Sequence, residues 1–125
     1  MKIKVGTSQF KSVKGSIQEN INKALKLASD AALQNTNIFL LQELFQTDYF
    51  CSTQNSNFFE LAIDFPNNSL FETFSNFCKE NKMVMPISFF EKNGQNYFNS
   101  VVLIDSDGKL NDIYRKSHIP DGPGY

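Results

Sequence analysis

The chain has no tryptophan, one histidine, two cysteines and four prolines. Cys51 and Cys78 lie far apart without Cys-x-x-Cys spacing, which excludes a disulfide scaffold and a thiolate zinc cage. Neither sign of charge dominates: 12 Lys and Arg against 13 Asp and Glu leave a net charge of −1. A general nucleic-acid binder carries a basic excess, so no nucleic-acid partner is expected. No apolar run approaches the roughly 18 residues that a bilayer span needs. The start, Met1-Lys-Ile-Lys-Val-Gly6, lacks the apolar stretch of a secretory signal. These absences predict a cytoplasmic chain with no membrane partner. Gly-x-Gly-x-x-Gly, the phosphate-binding loop and His-Glu-x-x-His are all missing.

What is present is enough for one packed domain. The 125 residues are 41% hydrophobic and 14% aromatic, with 13 phenylalanines, which argues against disorder. Eleven lysines accompany a single arginine, Arg115, a bias that carries no functional reading. Residues 2–9 read as a short buried strand. Ser16 and Glu19 form a Ser-x-x-Glu capping box, and Ile17, Ile21, Ala24, Leu25, Ala28 and Ala32 recur at helical spacing behind it. A helix over 16–34 follows. Ile38-Phe-Leu-Leu41 is a continuous apolar run, the pattern of a strand buried on both faces. Strand, helix and strand at this spacing predict a right-handed βαβ unit.

An aromatic-rich loop spans residues 46–68, and Ser69 with Glu72 repeats the capping box ahead of a helix to about residue 81. Strands are expected at 83–90, 97–104 and 110–115. Pro86 implies a bulge or an unpaired edge in the first of them, and Asn93-Gly94 signals a hairpin after it. All five strands are expected in one sheet, with both helices on a common face.

Glu43 stands two residues beyond the run 38–41, at the strand end where open α/β sheets bind ligands. Flanked by Leu41, Leu44 and Phe45, it is expected to be partly desolvated and suited to general-base work. A surface glutamate at a loop start is the plainer alternative. Lys116 follows the last strand and could serve as a fixed cation for an oxyanion, or could be a solvated lysine. His118 reads as a structural hydrogen-bonder. Cys78 reads as a packing residue, and Cys51 has no nearby histidine to activate it. Asp105-x-Asp107-Gly108 begins like a calcium loop, but Lys116 occupies the twelfth position, so it is a turn.

Five segments together resemble the nitrilase, or carbon–nitrogen hydrolase, superfamily: Lys4-Val-Gly-Thr-Ser-Gln9, Leu40-Leu-Gln-Glu-Leu-Phe45, Asn99-Ser-Val-Val102, Asp105-Ser-Asp-Gly108 and Tyr114-Arg-Lys-Ser-His-Ile-Pro120. The resemblance implies hydrolysis of a non-peptide C–N bond by a Glu–Lys–Cys triad. Glu43 matches its general base. Lys116 matches its oxyanion stabiliser and proton donor. The nucleophilic cysteine of that pattern would lie beyond residue 125. The implied fold is α/β, with residues 1–125 as the N-terminal half of a four-layer αββα sandwich, cut before the nucleophile elbow. Tyr49-Phe-Cys51, Pro86-Ile-Ser-Phe-Phe-Glu91 and Ser117 to Tyr125 resemble the members that convert N-carbamoylputrescine to putrescine, carbon dioxide and ammonia. The resemblance thus implies a small-molecule N-carbamoyl amine substrate, no cofactor and no metal, and a homo-oligomer at full length. Another N-carbamoyl amine, an ω-amide, or a half-domain without catalysis are the alternatives. It further implies that the isolated chain leaves one apolar sheet face uncovered.

Overall fold

A computed structural model describes residues 1–120. The expected tail Asp121-Gly-Pro-Gly-Tyr125 lies outside them. Strand β1 (Val5–Thr7) leads through helix α1 (Ile17–Leu33) to β2 (Ile38–Leu40), and the two strands pair in parallel with Gly6 opposite Phe39. The Ser16 hydroxyl caps α1 by accepting from the Glu19 N–H at 3.4 Å. Ala24, Ala28 and Ala31 form its buried stripe, and their small side chains let the helix approach the sheet closely.

The second helix, α2 (Ser69–Asn81), is capped one residue earlier than its sequence predicts. Asn68, not Ser69, accepts from the Leu70 N–H at 2.9 Å. Asn and Ser both serve as caps, and the extended backbone of Asn68 gives it the position. Lys82, in the left-handed region, ends the helix. Two short 3-10 segments, Phe50–Ser52 and Ser56–Leu61, and a two-residue strand β3 (Ile63–Asp64) occupy the aromatic loop.

Strands β4 (Met85–Asn93), β5 (Asn96–Ile104) and β6 (Leu110–Arg115) form an antiparallel meander, with β3 parallel to the end of β4. Asn93 pairs with Asn96, so the two-residue β4–β5 loop is Gly94-Gln95, with positive φ at Gly94 and not at Gln95, the pattern of a II′ rather than an I′ turn.

The expected single sheet is corrected by Pro86. Two sheets, β1-β2 and β3-β4-β5-β6, touch through one parallel bridge between Ile38 and Val84. Phe39 donates to Val84 and Val84 donates to Asn37. The next bond of that ladder would come from residue 86, and proline has no N–H to give. The ladder stops there.

One face of these strands meets both helices. Phe39, Met85, Ile87, Phe89, Val102 and Ile104 pack with Leu70, Phe71, Phe74, Cys78 and the alanine stripe in a single core. Edge-to-face rings, including Phe71 on Phe89 at 4.8 Å, fill it. The expectation that 38–41 is buried on both faces fails: Phe39 and Leu41 are buried, while Leu40 is exposed. The alternation of a strand turns Leu40 to a side that nothing among the described residues covers.

The turn after β5 docks on α2. Gly108 has φ +85°, and a Cβ there would sit 2.8 Å from the Ser75 carbonyl oxygen. Gly94 also has positive φ, but its Cβ would meet nothing within 4 Å. Replacing either with alanine carries the left-handed penalty of about 1 kcal/mol. Gly108→Ala adds the collision, so its loss of stability is expected to exceed that of Gly94→Ala by about 1 kcal/mol or more. Denaturant midpoints of the two variants check this; equal losses would refute it.

Candidate active site

The chain after β2 makes an unusual turn. Leu44 has φ +52° and is buried. A non-glycine residue held there stores strain, which persists only where neighbours over-determine it. Here they do. The Leu44 N–H donates to Ser88 Oγ at 2.9 Å, Gln46 Nε2 to the Ser88 carbonyl at 2.7 Å, and buried Asn20 Nδ2 to the Gln46 carbonyl at 3.0 Å. The turn sends Leu44 and Phe45 into the protein and leaves Glu43 facing outward at the carboxyl end of β2.

Lys116 reaches the same place from just beyond the end of β6. Its backbone N–H donates to the Asn99 carbonyl at 2.8 Å, extending the β5–β6 ladder by one residue. Its Nζ lies 3.1 Å from Glu43 Oε1. Asn99 Nδ2 donates to that same oxygen at 2.5 Å. Thus two residues, Lys116 just beyond β6 and Asn99 within β5, converge on one oxygen of the Glu43 carboxylate. Glu43 Oε2 has no hydrogen-bond partner among the described residues.

The Glu43 side chain is 40% exposed, against 37% for Lys116, while its neighbours Leu41, Leu44 and Phe45 are buried. The Glu43 hydrogen bond, followed by its charge, holds the Lys116 ammonium above the usual lysine range. Lys116 is therefore a fixed cation through neutral pH.

Behind Lys116, Arg115 makes a two-pronged ion pair with buried Glu91, at 2.6 and 2.9 Å, and covers the Phe98 ring at 4.1 Å. Ser100 Oγ donates to the same carboxylate at 2.6 Å. The Arg115 hydrogen bond keeps Glu91 below the usual carboxylate range despite its burial. This network anchors the end of β6 from which Lys116 projects.

Beside the pair opens a groove of about 620 Å³, whose lining includes Tyr49, Cys51, Phe58, Phe59, Tyr97 and Lys116. Its aromatic wall is interlocked, with Phe59 on Tyr97 at 4.4 Å and Phe50 on Phe90 at 5.0 Å. Cys51 thus comes to the site, which its sequence surroundings do not signal. Burial and then the Glu43 charge push its thiol upward, so it is no activated nucleophile. Cys78 is fully buried, its thiol pushed up to about 12 by burial. His118 is exposed, and its side chain makes no hydrogen bond among the described residues.

A carbon–nitrogen hydrolase family profile matches residues 4–125. N-carbamoylputrescine amidase of Oryza sativa subsp. japonica is 45% identical over 107 residues, which are 86% of this chain and 36% of that protein. Citrullinase of Francisella tularensis is 38% identical over 107 residues, covering 86% of this chain and 37% of its own length. Among solved structures, a carbon–nitrogen hydrolase from Helicobacter pylori G27 superposes with a TM-score of 0.82 at 33% identity, over 98% of this chain and 45% of that one. The chain spans between about a third and a half of these relatives, and its fold is the N-terminal half of the nitrilase-like α/β architecture. With nearly every residue inside the profile and a structural match over almost its full length, the chain belongs to the carbon–nitrogen hydrolase family.

Proposed function

We propose that this chain supplies the general base and the oxyanion cation of an amidohydrolase acting on N-carbamoylputrescine, in polyamine biosynthesis. The observation that carries the proposal is the Glu43–Lys116 pair, 3.1 Å apart, whose lysine lines an aromatic groove. Four relatives named N-carbamoylputrescine amidase, 42–45% identical, support the substrate class.

The nucleophile is a cysteine outside this chain. A ureido carbon is a poor electrophile because both nitrogens donate into it, so a thiolate and a covalent intermediate divide the barrier. Glu43 takes the thiol proton on its free oxygen. Lys116 stabilises the tetrahedral oxyanion, and putrescine leaves with a proton returned from Glu43. Glu43 then activates water, which attacks the carbamoyl thioester; the carbamate released falls to carbon dioxide and ammonia. No metal or cofactor enters these steps. The proposed setting is cytoplasmic, with a homo-oligomer at full length.

The citrullinase relative supports a second reading, another ureido substrate on the same pair. The discriminating experiment joins residues 1–125 to the part of the rice enzyme beyond the matched segment, giving a complemented enzyme. Putrescine release from N-carbamoylputrescine is expected to exceed ornithine release from citrulline by about tenfold or more in kcat/KM. The reverse preference would assign the site to the second reading, and hydrolysis of neither would remove both.

A further inference from the structure

We propose that Asn99 is a positioning residue that fixes which oxygen of Glu43 does the chemistry; this rests on the reading of Glu43 as the base. Asn99 touches both halves of the pair. Its Nδ2 donates to Glu43 Oε1 at 2.5 Å, and its backbone carbonyl accepts from the Lys116 N–H at 2.8 Å. Glu43 itself rises from a strained turn, with its side chain 40% exposed. An exposed glutamate has three rotatable bonds and samples many orientations unless something holds its end. Lys116 alone does this poorly, because an ammonium on a four-carbon stem is a rotatable point charge. The planar amide of Asn99 stands on a paired strand, opposite Phe90 in the ladder. It is a rigid donor.

Both donors take Oε1, and Oε2 is left without a partner among the described residues. The amide thus sorts the two oxygens, one for anchoring and one for proton transfer. A base must lie within hydrogen-bond reach of the proton it takes, and small misplacements of reacting groups cost about 10²-fold in rate.

Two substitutions in the complemented enzyme separate this role from a packing role. Asn99→Asp keeps the shape but exchanges the donor for a carboxylate facing Glu43. Asn99→Leu removes the donor and keeps most of the volume. A packing role ranks the isosteric Asp variant as the milder. The positioning role ranks it as at least as damaging, with kcat down about 10²-fold and KM within about threefold of the parent. Glu43→Gln is the control. If it is inactive while Asn99→Asp keeps a kcat within threefold of the parent, the inference is overturned and the reading of Glu43 stands. Raised KM at unchanged kcat overturns it equally. If Glu43→Gln retains activity, the reading of the base fails and the inference falls with it.

Discussion

Glu43→Gln in the complemented enzyme is expected to lower kcat on N-carbamoylputrescine by about 10³-fold or more, with little change in KM. The amide keeps the size and can still accept from Lys116 and Asn99 through its oxygen, so the local fold survives. It cannot take the thiol proton, and it cannot activate water for the second step. General-base catalysis contributes about 10²–10⁴ per step, and here one residue serves both. Lys116→Met removes the cation instead. A single oxyanion donor is worth about 10²–10³ in kcat, and the loss is expected in that range. The double variant should lose little more than the worse single one, because groups acting on one intermediate are not additive. Single-turnover measurement with N-carbamoylputrescine checks all three. Additive losses would show that the two residues serve separate events, despite their 3.1 Å contact.

Lys116→Arg tests the geometry further. Arginine keeps the charge, but its fork is wider than an ammonium and already favours two-oxygen partners. At this site only Oε1 is engaged. A guanidinium would reach for both oxygens and occupy the one proposed to carry the proton. The expected activity is therefore much nearer to that of Lys116→Met than to the parent.

The strands and helices are legible where the chain repeats a period. The Ala24, Ala28 spacing and the capping hydroxyl of Ser16 place α1 to within a residue at each end. The hairpin at Gly94 is equally plain. Strand β3 is not, because two residues carry no period, and its pairing to Glu91 and Lys92 depends on where β4 lies. The apolar run 38–41 misleads for a different reason. A continuous apolar run suggests cover on both faces of a strand, and the described residues cover Phe39 and Leu41 on one side while Leu40 stays exposed on the other. At the site, Glu43 and Lys116 stand out through the resemblance of their segments to a family. No signal in the sequence marks Leu44, since leucine has no preference for positive φ. Asn99 opens one of the segments that carry the resemblance, but it lies 56 residues from Glu43, and an asparagine in a strand has no chemistry of its own to reveal its partner. Cys51 shows the opposite failure. Its sequence neighbours give no hint of the carboxylate and ammonium that the fold brings near it.

The uncovered face sets the last expectation, which concerns the 125-residue chain by itself. The strand registers put Val5, Leu40, Val84, Leu103 and Tyr114 on the side away from the helices. Of these, Val5 is 66% exposed, Leu40 46%, Leu103 42% and Tyr114 61%. Burying one such side chain fully is worth roughly 1.5–3 kcal/mol. Leaving four of them about half exposed forfeits on the order of 5 kcal/mol, as much as the whole stability of many domains. The isolated chain is therefore expected to bind an apolar dye before it melts, to melt broadly or aggregate, and to release no putrescine. Leu103→Lys separates this account from a merely weak fold. In the isolated chain the lysine stands in water and should suppress dye binding at little cost in stability. In the complemented enzyme the same charge would be trapped between sheets, where an unpaired ion is expensive, and activity should collapse with the fold. A sharp, cooperative melt of the isolated chain without dye binding, or a complemented enzyme indifferent to Leu103→Lys, would show that this face needs no cover.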